Sequence, residues 1–401
     1  MKVLLINKFF YLKGGAERVF FQERDFLIRQ GIKIVDFSMD YPENLPSDYA
    51  QHFVNGVDYH DSANIVCRLT QGVKSIHSPE AVRKIKKLLQ EERPDIAHLH
   101  NIYHQLTPSI LHVLKKKGVK TVLTLHDGKL VCPAYTMLDK GNLCLACDGK
   151  YYYLPVIRNC QESIAQGCLL MIEALWHKMF RSYENVDRFI APSRFIADLI
   201  SRRISKEKIT ILPNGVCHNS GVSSGEDGNY GLYFGRLSRE KGIETLLRSH
   251  AATRNHFSLK IAGVGPLEEQ LRSKYPAVEF MGHLSQQNLK PVIQRSSFVI
   301  VPSECYENCS MTVLEAMAFG KPVIGSRIGG IPEQIEDQKS GLLFEPGSVD
   351  DLKDKLEILG QNVDYRHFLG RNARQKLARE YSFEKHGVGL LKIYDQLLAD
   401  S

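Results

Sequence analysis

The sequence has no long hydrophobic run. No stretch approaches the roughly 18 uninterrupted apolar residues that a transmembrane helix requires, and the opening MKVLLINKFF is too short and too charged for a signal peptide. Its apolar residues instead predict a buried first strand. We therefore expect a protein that stays in the cytoplasm, where nine cysteines would serve as reduced thiols or metal ligands rather than as disulfides.

The sequence also lacks a strong charge of either sign. It has 52 Lys and Arg against 45 Asp and Glu, a formal net charge of +7, with basic runs at 83–89 (RKIKKLL) and 114–120 (LKKKGVK). These runs fit either solvated helix faces or a surface that meets an anionic substrate or membrane. No RNP-like aromatic strand or helix-turn-helix pattern accompanies them. This disfavours a zinc-containing nucleic-acid-binding module, and we expect no nucleic-acid partner.

Two motifs of nucleotide chemistry are incomplete or missing. GVGPLEEQL begins like the dinucleotide fingerprint G-x-G, but Glu268 stands where the third glycine should be, which argues against a nicotinamide cofactor. No D-x-D pair of the kind that holds a divalent metal on a diphosphate stands out, since VDDLKD (349–354) falls in a helical pattern. We therefore expect catalysis without a metal or other cofactor.

The order of the apolar runs predicts an α/β fold. The predicted strands fall into two series, and the first is KVLLIN, KIVDFSM, IAHLHN, KTVLTLHD and RFIAPS. After a Gly- and Ser-rich linker, HNSGVSSGEDGNYG, the second series is GLYFGRL, SLKIAGVG, VEFMGHL, SFVIVPS, PVIGS and GLLFEP. Helical patterns between the strands are typical of parallel, doubly wound sheets, which bind ligands at the carboxyl ends of their strands. We predict two tandem Rossmann-like domains, at 1–213 and 214–380, and a final helix at 381–401.

The stretch ENCSMTVLEAMAFGKPVIGS, residues 307–326, places two carboxylates around a predicted helix start. Ser310 is a candidate N-cap, MTVLEAMAF has the spacing of a short buried helix, and Gly320 with Pro322 ends it. Glu307 would lie just before the helix and Glu315 about one turn inside it. Two acids and a helix N-terminus would then face one crevice.

Loops after other predicted strands carry further candidate groups. Gly14 and Gly15 would let a backbone approach a ligand at a helix N-terminus, or form a simple tight turn. Arg236 and Lys241 would bracket a diphosphate, or be surface charges. His126 ends a strand and would face the crevice, or serve only as a turn residue.

Cysteines crowd into a segment of irregular pattern at about 128–170. The spacing C-x11-C-x2-C-x12-C of Cys132, Cys144, Cys147 and Cys160 fits a tetrahedral structural zinc site, with Cys168 as an alternative ligand. Reduced cysteines that pack in an irregular excursion fit the same residues. We interpret the segment as an insertion that forms a lid or an acceptor platform.

Together these motifs resemble the retaining glycosyltransferases of family 4, the glycogen-synthase-like enzymes of GT-B fold. KGGAERV, LTLHD, LPNGV, FGRLSREKG, AGVGPLEEQL and the stretch at 307–326 occur in the order of that family, and Glu307-x7-Glu315 matches its E-x7-E motif. The resemblance covers nearly the whole chain. It implies a deep cleft between an N-terminal acceptor domain and a C-terminal nucleotide-sugar domain, and a last helix that packs back on the first domain.

The resemblance also implies residue roles. The catalytic residues would be Glu307 and His126, which contact the donor sugar, with Glu307 facing the charge that develops on the anomeric carbon. Glu315 would hydrogen-bond the ribose of the nucleotide. The residues that would bind the nucleotide sugar are Gly14, Gly15, Arg236, Lys241, Met311, Thr312 and Glu315. No catalytic metal is implied, so any zinc at the cysteines would be structural.

The implied activity is retaining transfer from a UDP- or GDP-sugar to a glycan or to a polyprenyl-diphosphate-linked oligosaccharide. This activity would serve bacterial surface-polysaccharide assembly at the inner face of the membrane. The two basic runs and the aromatic stretches KFFYLK and GKYYYL would make a peripheral contact with anionic lipid. The alternative within the same fold is a sugar-nucleotide epimerase of the UDP-GlcNAc 2-epimerase type, which needs no acceptor.

Overall fold

The structure is a computed structural model that describes residues 1–56, 72, 74–217, 227–254 and 257–399. Most of the predicted linker, residues 218–226, lies outside the described residues. The chain forms two compact units: Met1–Lys140, Cys144–Leu212 and Gly387–Ser401 make the first, and Gly141–Leu143 with Pro213–His386 make the second.

The strands of the described residues are, in chain order, β1 Lys2–Ile6, β2 Lys33–Phe37, β3 Met39–Asp40, β4 Val54–Asn55, β5 Ile96–Leu99, β6 Lys120–Thr124, β7 Leu138–Asp139, β8 Asn142–Leu143, β9 Arg188–Ala191, β10 Ile209–Ile211, β11 Tyr230–Phe234, β12 Ser258–Ala262, β13 Glu279–Gly282, β14 Phe298–Val301, β15 Val323–Ser326 and β16 Gly341–Phe344. The α-helices up to residue 200 are Gly15–Arg29, Pro79–Glu92, Ser109–Lys116, Leu154–Ile157, Ile164–Met179 and Arg194–Ile200. Those that follow are Ile243–Ala251, Glu268–Lys274, Gln286–Arg295, Met311–Ala318, Ile331–Gln334, Val349–Gln361, Val363–Lys376 and Phe383–Ala399.

The first unit contains a six-stranded sheet in the order β10-β9-β6-β5-β1-β2, and all its pairs are parallel. The five predicted strands are confirmed. Their near-continuous burial explains their apolar sequences, because helices cover both faces of such a sheet. The sequence order reverses between β1 and β5, so the loops that follow these two strands meet at a topological switch point.

The second unit contains a six-stranded parallel sheet in the order β13-β12-β11-β14-β15-β16. All six predicted strands of this series are confirmed. The order reverses between β11 and β14, which brings the loops after these strands together at one edge of the sheet. Two clusters of buried side chains, one on each face of the sheet, form the core of this unit.

The last helix, Phe383–Ala399, contributes to the core of the first unit. Leu390, Ile393, Tyr394 and Leu397 pack there with side chains of β1 and of the helix Gly15–Arg29. Tyr394 is fully buried, and its hydroxyl lies 2.7 Å from Nδ1 of His98 on β5.

The predicted irregular segment is only partly irregular. It holds the paired two-residue strands β7 and β8 and a one-turn helix, and many residues with positive φ. The expectation of few periodic elements is wrong at its end, where the helix Ile164–Met179 begins with Ser163 as an N-cap that accepts from the Gln166 N–H. Among the described residues we find no helix with the length and apolarity of a membrane-spanning segment.

Candidate active site

The switch point of the second unit holds a network between the loops after β11 and β14. The backbone N–H of Glu304 donates to the Glu240 carbonyl oxygen at 2.9 Å, and the Thr245 hydroxyl donates to the Glu304 carboxylate at 2.5 Å. Gly242 has φ of 66°, and a Cβ at this position would lie 1.7 Å from the Pro302 carbonyl oxygen. A glycine is therefore required for the two loops to approach this closely.

Lys241 and Glu307 form an ion pair at this switch point. Lys241 Nζ donates to Glu307 Oε1 at 2.6 Å, and the Ser303 hydroxyl donates to the same oxygen at 2.8 Å. Burial opposes ionisation of Glu307, but the charge and hydrogen bond of Lys241, with the bond from Ser303, hold its pKa below the ordinary value. The Glu307 charge in turn raises the pKa of Lys241 against the effect of burial. The unit thus holds a carboxylate and an ammonium group in contact over a wide pH range.

The helix Met311–Ala318 begins beside this pair. Ser310 is the N-cap as predicted, but its side chain makes no capping hydrogen bond. Instead its backbone N–H donates to the side chain of Gln334 at 2.9 Å, and the Gln334 amide donates back to the Ser310 carbonyl oxygen at 3.0 Å. The first-turn N–H groups of a helix have no partner within the helix and suit an anion.

The remaining predicted residues of this unit lie on the same elements. Met311 and Thr312 are half-buried in the first turn, and Glu315 is half-buried about one turn further on. The loop at 329–333 holds the backbone of Glu307, since the Gly330 N–H donates to the Glu307 carbonyl oxygen at 2.7 Å. Arg236 is exposed, and its carbonyl oxygen accepts from the Tyr233 hydroxyl at 2.7 Å.

In the first unit, His126 lies at the carboxyl edge of the sheet, just after β6. Its Nε2 lies 2.9 Å from Nδ1 of His100, which follows the neighbouring strand β5. Burial, reinforced by the proximity of His100, lowers the pKa of His126 to about 3. His126 is therefore a neutral imidazole at neutral pH, able to donate one hydrogen bond and accept one.

The sequence analysis missed the residues that support His126. Glu23, buried on the helix Gly15–Arg29, places Oε2 at 3.4 Å from both His98 Nδ1 and His100 Nε2. Glu23 Oε2 and His100 Nε2 form no hydrogen bond with each other. A negative charge on Glu23 would favour the proton on His100 Nε2, so that His100 Nδ1 would accept from Nε2–H of His126. His126 Nδ1 would then remain a hydrogen-bond acceptor. The H-x-H pattern of IAHLHN was the one available signal.

A second buried polar cluster, also missed, lies next to His126. Burial raises the pKa of Asp127 to about 6, although the Lys129 N–H donates to its carboxylate at 2.9 Å. The Lys129 ammonium donates to Glu173 at 2.7 Å, and both of these side chains are nearly inaccessible. Glu173 belongs to the unpredicted helix Ile164–Met179, so no local pattern links it to this edge of the sheet.

Gly14 and Gly15 lie at the exposed N-terminus of the helix Gly15–Arg29, with Gly14 as the N-cap. The φ of Gly14, −164°, is extended backbone that any residue adopts, and a Cβ there would lie an ordinary 3.5 Å from Glu17. Their predicted role in binding a ligand stays a prediction.

Six of the described cysteines fall into two groups, one in each unit. Cys132, Cys144, Cys147 and Cys160 line one small cavity of the first unit, whereas Cys168 lies on the helix Ile164–Met179 and does not line it. Cys305 and Cys309 flank Glu307 in the second unit, and burial raises the pKa of each thiol to about 12. These two are therefore protonated thiols. None of the cysteines in the described ranges forms a disulfide.

Comparisons with known proteins find family models that match both units of the chain. The model of Glycosyltransferase Family 4 matches residues 13–219, and that of Glycosyl transferases group 1 matches residues 221–376. An uncharacterized glycosyltransferase of Methanocaldococcus jannaschii is 31% identical over 317 residues, which cover 78% of each chain. A lipopolysaccharide 1,2-N-acetylglucosaminetransferase of Salmonella typhimurium is 28% identical over 50% of this chain and 60% of its own.

Solved structures share the fold over the whole chain. Sucrose-phosphate synthase of Thermosynechococcus elongatus has a TM-score of 0.74 at 20% identity, with all of both chains covered. HepE of Anabaena, solved in complex with UDP-glucose, has a TM-score of 0.68 at 16% identity and covers 99% of this chain and 100% of its own. The predicted GT-B fold, with two parallel-sheet Rossmann-like units, is thus confirmed. Since a family-4 model alone matches half of it, the chain belongs to glycosyltransferase family 4.

Proposed function

We propose that this glycosyltransferase takes a sugar from a UDP- or GDP-sugar, with retention and without a catalytic metal. The acceptor is a glycan or a polyprenyl-diphosphate-linked oligosaccharide of a bacterial surface polysaccharide. The UDP-glucose complex of HepE and the lipopolysaccharide relative support the donor class and the pathway. The observation that carries the proposal is the contact of Lys241 with Glu307 beside the N-terminus of the helix Met311–Ala318.

Departure of a nucleoside diphosphate leaves additional negative charge on its phosphate oxygens. Lys241 and the first-turn N–H groups around Met311 and Thr312 are cationic or donor groups at one edge of the sheet. They stabilise that charge more in the transition state than in the ground state, which is what accelerates the reaction. Arg236, on the same loop as Lys241, adds a forked donor for the diphosphate. Two protein cations make a divalent metal unnecessary in this proposal.

Glu307 acts here as a stabilising carboxylate. Its lowered pKa keeps it ionised at neutral pH, as is needed to stabilise positive charge on the anomeric carbon. Its Oε1 already accepts from Lys241 and Ser303, which makes it a weaker nucleophile than an unengaged carboxylate. Retention then comes from attack on the face that the diphosphate leaves, with a phosphate oxygen taking the acceptor proton. Glu315 binds the ribose hydroxyls.

For His126 we propose a hydrogen bond with the donor sugar. The contacts of Glu23 with His100, and of His100 with His126, favour an acceptor at Nδ1 of His126. A sugar hydroxyl that donates to this nitrogen would be held without any change of charge, because the imidazole is neutral. Glu23 and His100 are positioning residues in this proposal.

We propose that the first unit contacts anionic lipid through the helix Ile164–Met179. Its apolar side chains are exposed in a row at helical spacing: Ile164 at 62%, Ile172 at 48%, Leu175 at 47%, Trp176 at 37% and Met179 at 67%. Lys178 and Arg181 at its C-terminal end are exposed cations. An apolar face with a Trp and flanking cations is typical of helices that lie in a lipid interface. Localisation at the inner face of the cell membrane would follow.

Nucleotide release across UDP-, GDP- and ADP-sugars, with and without lipid-linked acceptors and Mg²⁺, tests the function. We expect release with one donor that needs an acceptor but no added Mg²⁺, and a product whose anomeric configuration by NMR is that of the donor. UDP or GDP at 100 times its Kd should stabilise the protein by about 2.7 kcal/mol. This shift should vanish in Glu315→Ala and weaken in Lys241→Ala, whereas Lys353→Ala, which removes a cation on the helix Val349–Gln361, should keep it.

Three outcomes would contradict the proposal. If no nucleotide changes the thermal stability of the protein, the proposed donor-binding site is wrong. A new sugar formed without an acceptor would favour the epimerase. An inverted product, or an absolute requirement for Mg²⁺, would overturn the mechanism while leaving the donor class intact.

A further inference from the structure

Four cysteines converge on one cavity in the first unit, outside the groups assigned to transfer. It is lined by Cys132, Cys144, Cys147 and Cys160. Its volume of about 10 Å³ is roughly what one water molecule or one ion needs. The thiols of Cys132 and Cys147 are close enough to shift each other's pKa. We propose that these four thiolates bind one structural zinc ion and that Cys168 is not a ligand.

The surrounding segment has little regular secondary structure. Between residues 132 and 160, Tyr135, Met137, Lys140, Asp148 and Asn159 all have positive φ, which is unfavourable for residues other than glycine. The regular structure in this range is two strands of two residues and one helix of four. Irregular segments rich in cysteine are a common setting for structural zinc.

The backbone beside three of these cysteines is hydrogen-bonded. The Cys144 N–H donates to the Met137 carbonyl oxygen at 2.9 Å, and the Cys147 carbonyl oxygen accepts from the N–H groups of Lys150 and Tyr151, each at 2.8 Å. The Cys160 carbonyl oxygen accepts from the Lys140 N–H at 3.2 Å. The main chain beside these three cysteines is therefore held by hydrogen bonds, and the approach of the sulfurs to one ion is part of the proposal.

Binding of zinc would bring the four cysteine sulfurs closer together. Zn–S bonds of about 2.3 Å place tetrahedral sulfurs about 3.8 Å apart. In the described part of the chain, the group whose candidate ligand atoms all lie within 4.8 Å of one another is Glu23, His98 and His100, not the cysteines. That histidine group is poorly suited to an ion, because both ring nitrogens of His98 are engaged, by Tyr394 and by Thr124, each at 2.7 Å. The cysteine sulfurs make weaker contacts, such as that of Cys144 Sγ with Arg158 Nη1 at 3.9 Å.

The charges around the cavity fit a thiolate cluster. Four thiolates and Zn²⁺ carry a net charge of −2, and Arg158 lines the cavity with Nη1 at 3.9 Å from Cys144 Sγ. Cationic N–H groups that donate to metal-bound sulfur stabilise such sites. The one carboxylate in the lining, Asp148, is bound to Arg202 at 2.7 Å and does not compete as a ligand.

The test is metal analysis of the full-length protein purified under reducing conditions from zinc-supplemented medium. We expect one zinc per chain by inductively coupled plasma mass spectrometry, and a large fall in Cys147→Ser and Cys160→Ser. Cys168→Ser, a matched change 8 residues beyond Cys160, should keep the zinc. Because the first two variants risk misfolding, the wild type is also exchanged with Co²⁺, for which we expect the intense visible absorption of a tetrahedral cobalt thiolate site.

Removal of zinc with a strong chelator should lower the Tm of the wild type, and zinc should restore it. Substoichiometric zinc in the wild type together with no cobalt thiolate band would overturn the proposal. Full loss of zinc in Cys168→Ser with retention in Cys160→Ser would overturn the ligand set. A mass lower by two hydrogens without reductant, with no bound metal, would show a disulfide instead, and stoichiometric iron with visible absorption would show an iron–sulfur cluster.

Discussion

At the scale of single residues, the contact of Lys241 with Glu307 ties stability to pH. The pKa of Glu307 lies below its ordinary value of 4.5, so its charge contributes stability above about pH 4.5 that is lost as the pH falls through its folded-state value. The pKa of Lys241 is raised from 10.5, so its contribution is complete below about pH 10.5 and is lost at higher pH.

Glu307→Gln should therefore destabilise the second unit between these limits. We expect a loss of about 1–3 kcal/mol at pH 7, less than for a fully buried pair because a third of the Lys241 side chain is exposed. Urea unfolding of both proteins at several pH values measures it. The gap should narrow below pH 4.5. A gap that is constant from pH 3 to pH 7 would show that the glutamine acts through packing and not through charge.

The contacts of Glu23 and His100 make a prediction about the tautomer of His126. Glu23→Gln removes the anion that favours the proton on His100 Nε2, so His126 should lose its preference for Nε2–H. We expect the ¹⁵N chemical shifts of the His126 ring to change and kcat to fall at least about tenfold, with KM for the acceptor unchanged.

Two further variants separate positioning from simple damage to the fold. Glu23→Asp, which keeps the charge, should recover part of the rate. Asp25→Asn removes an exposed carboxylate two residues away on the same helix and should leave the His126 spectrum unchanged. If the His126 ring of Glu23→Gln keeps its wild-type ¹⁵N chemical shifts, Glu23 does not determine the tautomer of His126.

The sequence predicted those residues of the site whose spacing lies within one motif. Glu307, Ser310 and Glu315 fall where the helix pattern and the E-x7-E resemblance put them. Glu23, His100 and Glu173 could not be found in this way, because they meet only through the pairing of β5 with β6 and the packing of helices on the sheet. The contact of Lys241 with Glu307 joins residues 66 positions apart and follows from the strand order, which local patterns do not encode.

At the scale of elements, the turn at Gly242 makes the closest approach of the loops after β11 and β14. Gly242→Ala must give up φ of 66° or push the added methyl group against the Pro302 carbonyl oxygen, 1.7 Å away. We expect a loss of more than about 2 kcal/mol in unfolding free energy, together with weaker nucleotide binding, because the displaced turn precedes the helix Ile243–Ala251.

The matched control is Gly31→Ala, at a glycine with φ of 74° and no atom within 4 Å of the added methyl group. It should lower the free energy of unfolding by only about 1 kcal/mol, because only the left-handed backbone conformation is unfavourable there. Nucleotide binding should be unchanged. Denaturant unfolding and UDP titration of both variants measure these effects. Equal losses in the two variants would rule out the close contact as the cause.

The exposed face of the helix Ile164–Met179 predicts binding to lipid. Ile172→Glu with Met179→Glu places two carboxylates on this face. We expect a loss of at least tenfold in affinity for anionic vesicles at low salt, with an unchanged Tm, because neither side chain is buried. Val388→Glu, at a 65% exposed position on another helix of the first unit, should bind as the wild type does. If the double variant binds vesicles as tightly as the wild type, this helix face is not the lipid-binding surface.

Most elements of the fold were predictable from the sequence, and the exceptions have physical causes. The eleven predicted strands are apolar runs, and all of them except the edge strand β13 bury most of their residues, which is the pattern of a covered parallel sheet. β10 was missed because it has three residues, none of them buried, at the edge of its sheet. The helix Ile164–Met179 was missed because its apolar residues face both solvent and core, which blurs the amphipathic period.

At the scale of the whole molecule, the chain leaves the first unit at Leu212 and returns to it at Gly387. No local pattern indicates in which unit the side chains of YSFEKHGVGLLKIYDQLLA pack. The expectation that this helix packs on the first unit came from the family resemblance. The packing of Leu390, Ile393 and Tyr394 with β1 shows that the first unit needs the last helix for its core. Its stability therefore depends on residues almost 400 positions from β1 in the chain.

Leu390→Ala tests this dependence, because Leu390 is fully buried in the core of the first unit. We expect a loss of about 2–5 kcal/mol, confined to the first unit. Hydrogen exchange should accelerate at β1 and β5 but not at β11 and β14, and UDP should still protect the second unit. Val388→Ala, two residues away on the same helix and 65% exposed, should change exchange in neither unit. Equal acceleration in both units of Leu390→Ala would mean that they unfold as one cooperative body, and nucleotide binding would then fall together with the stability of the first unit.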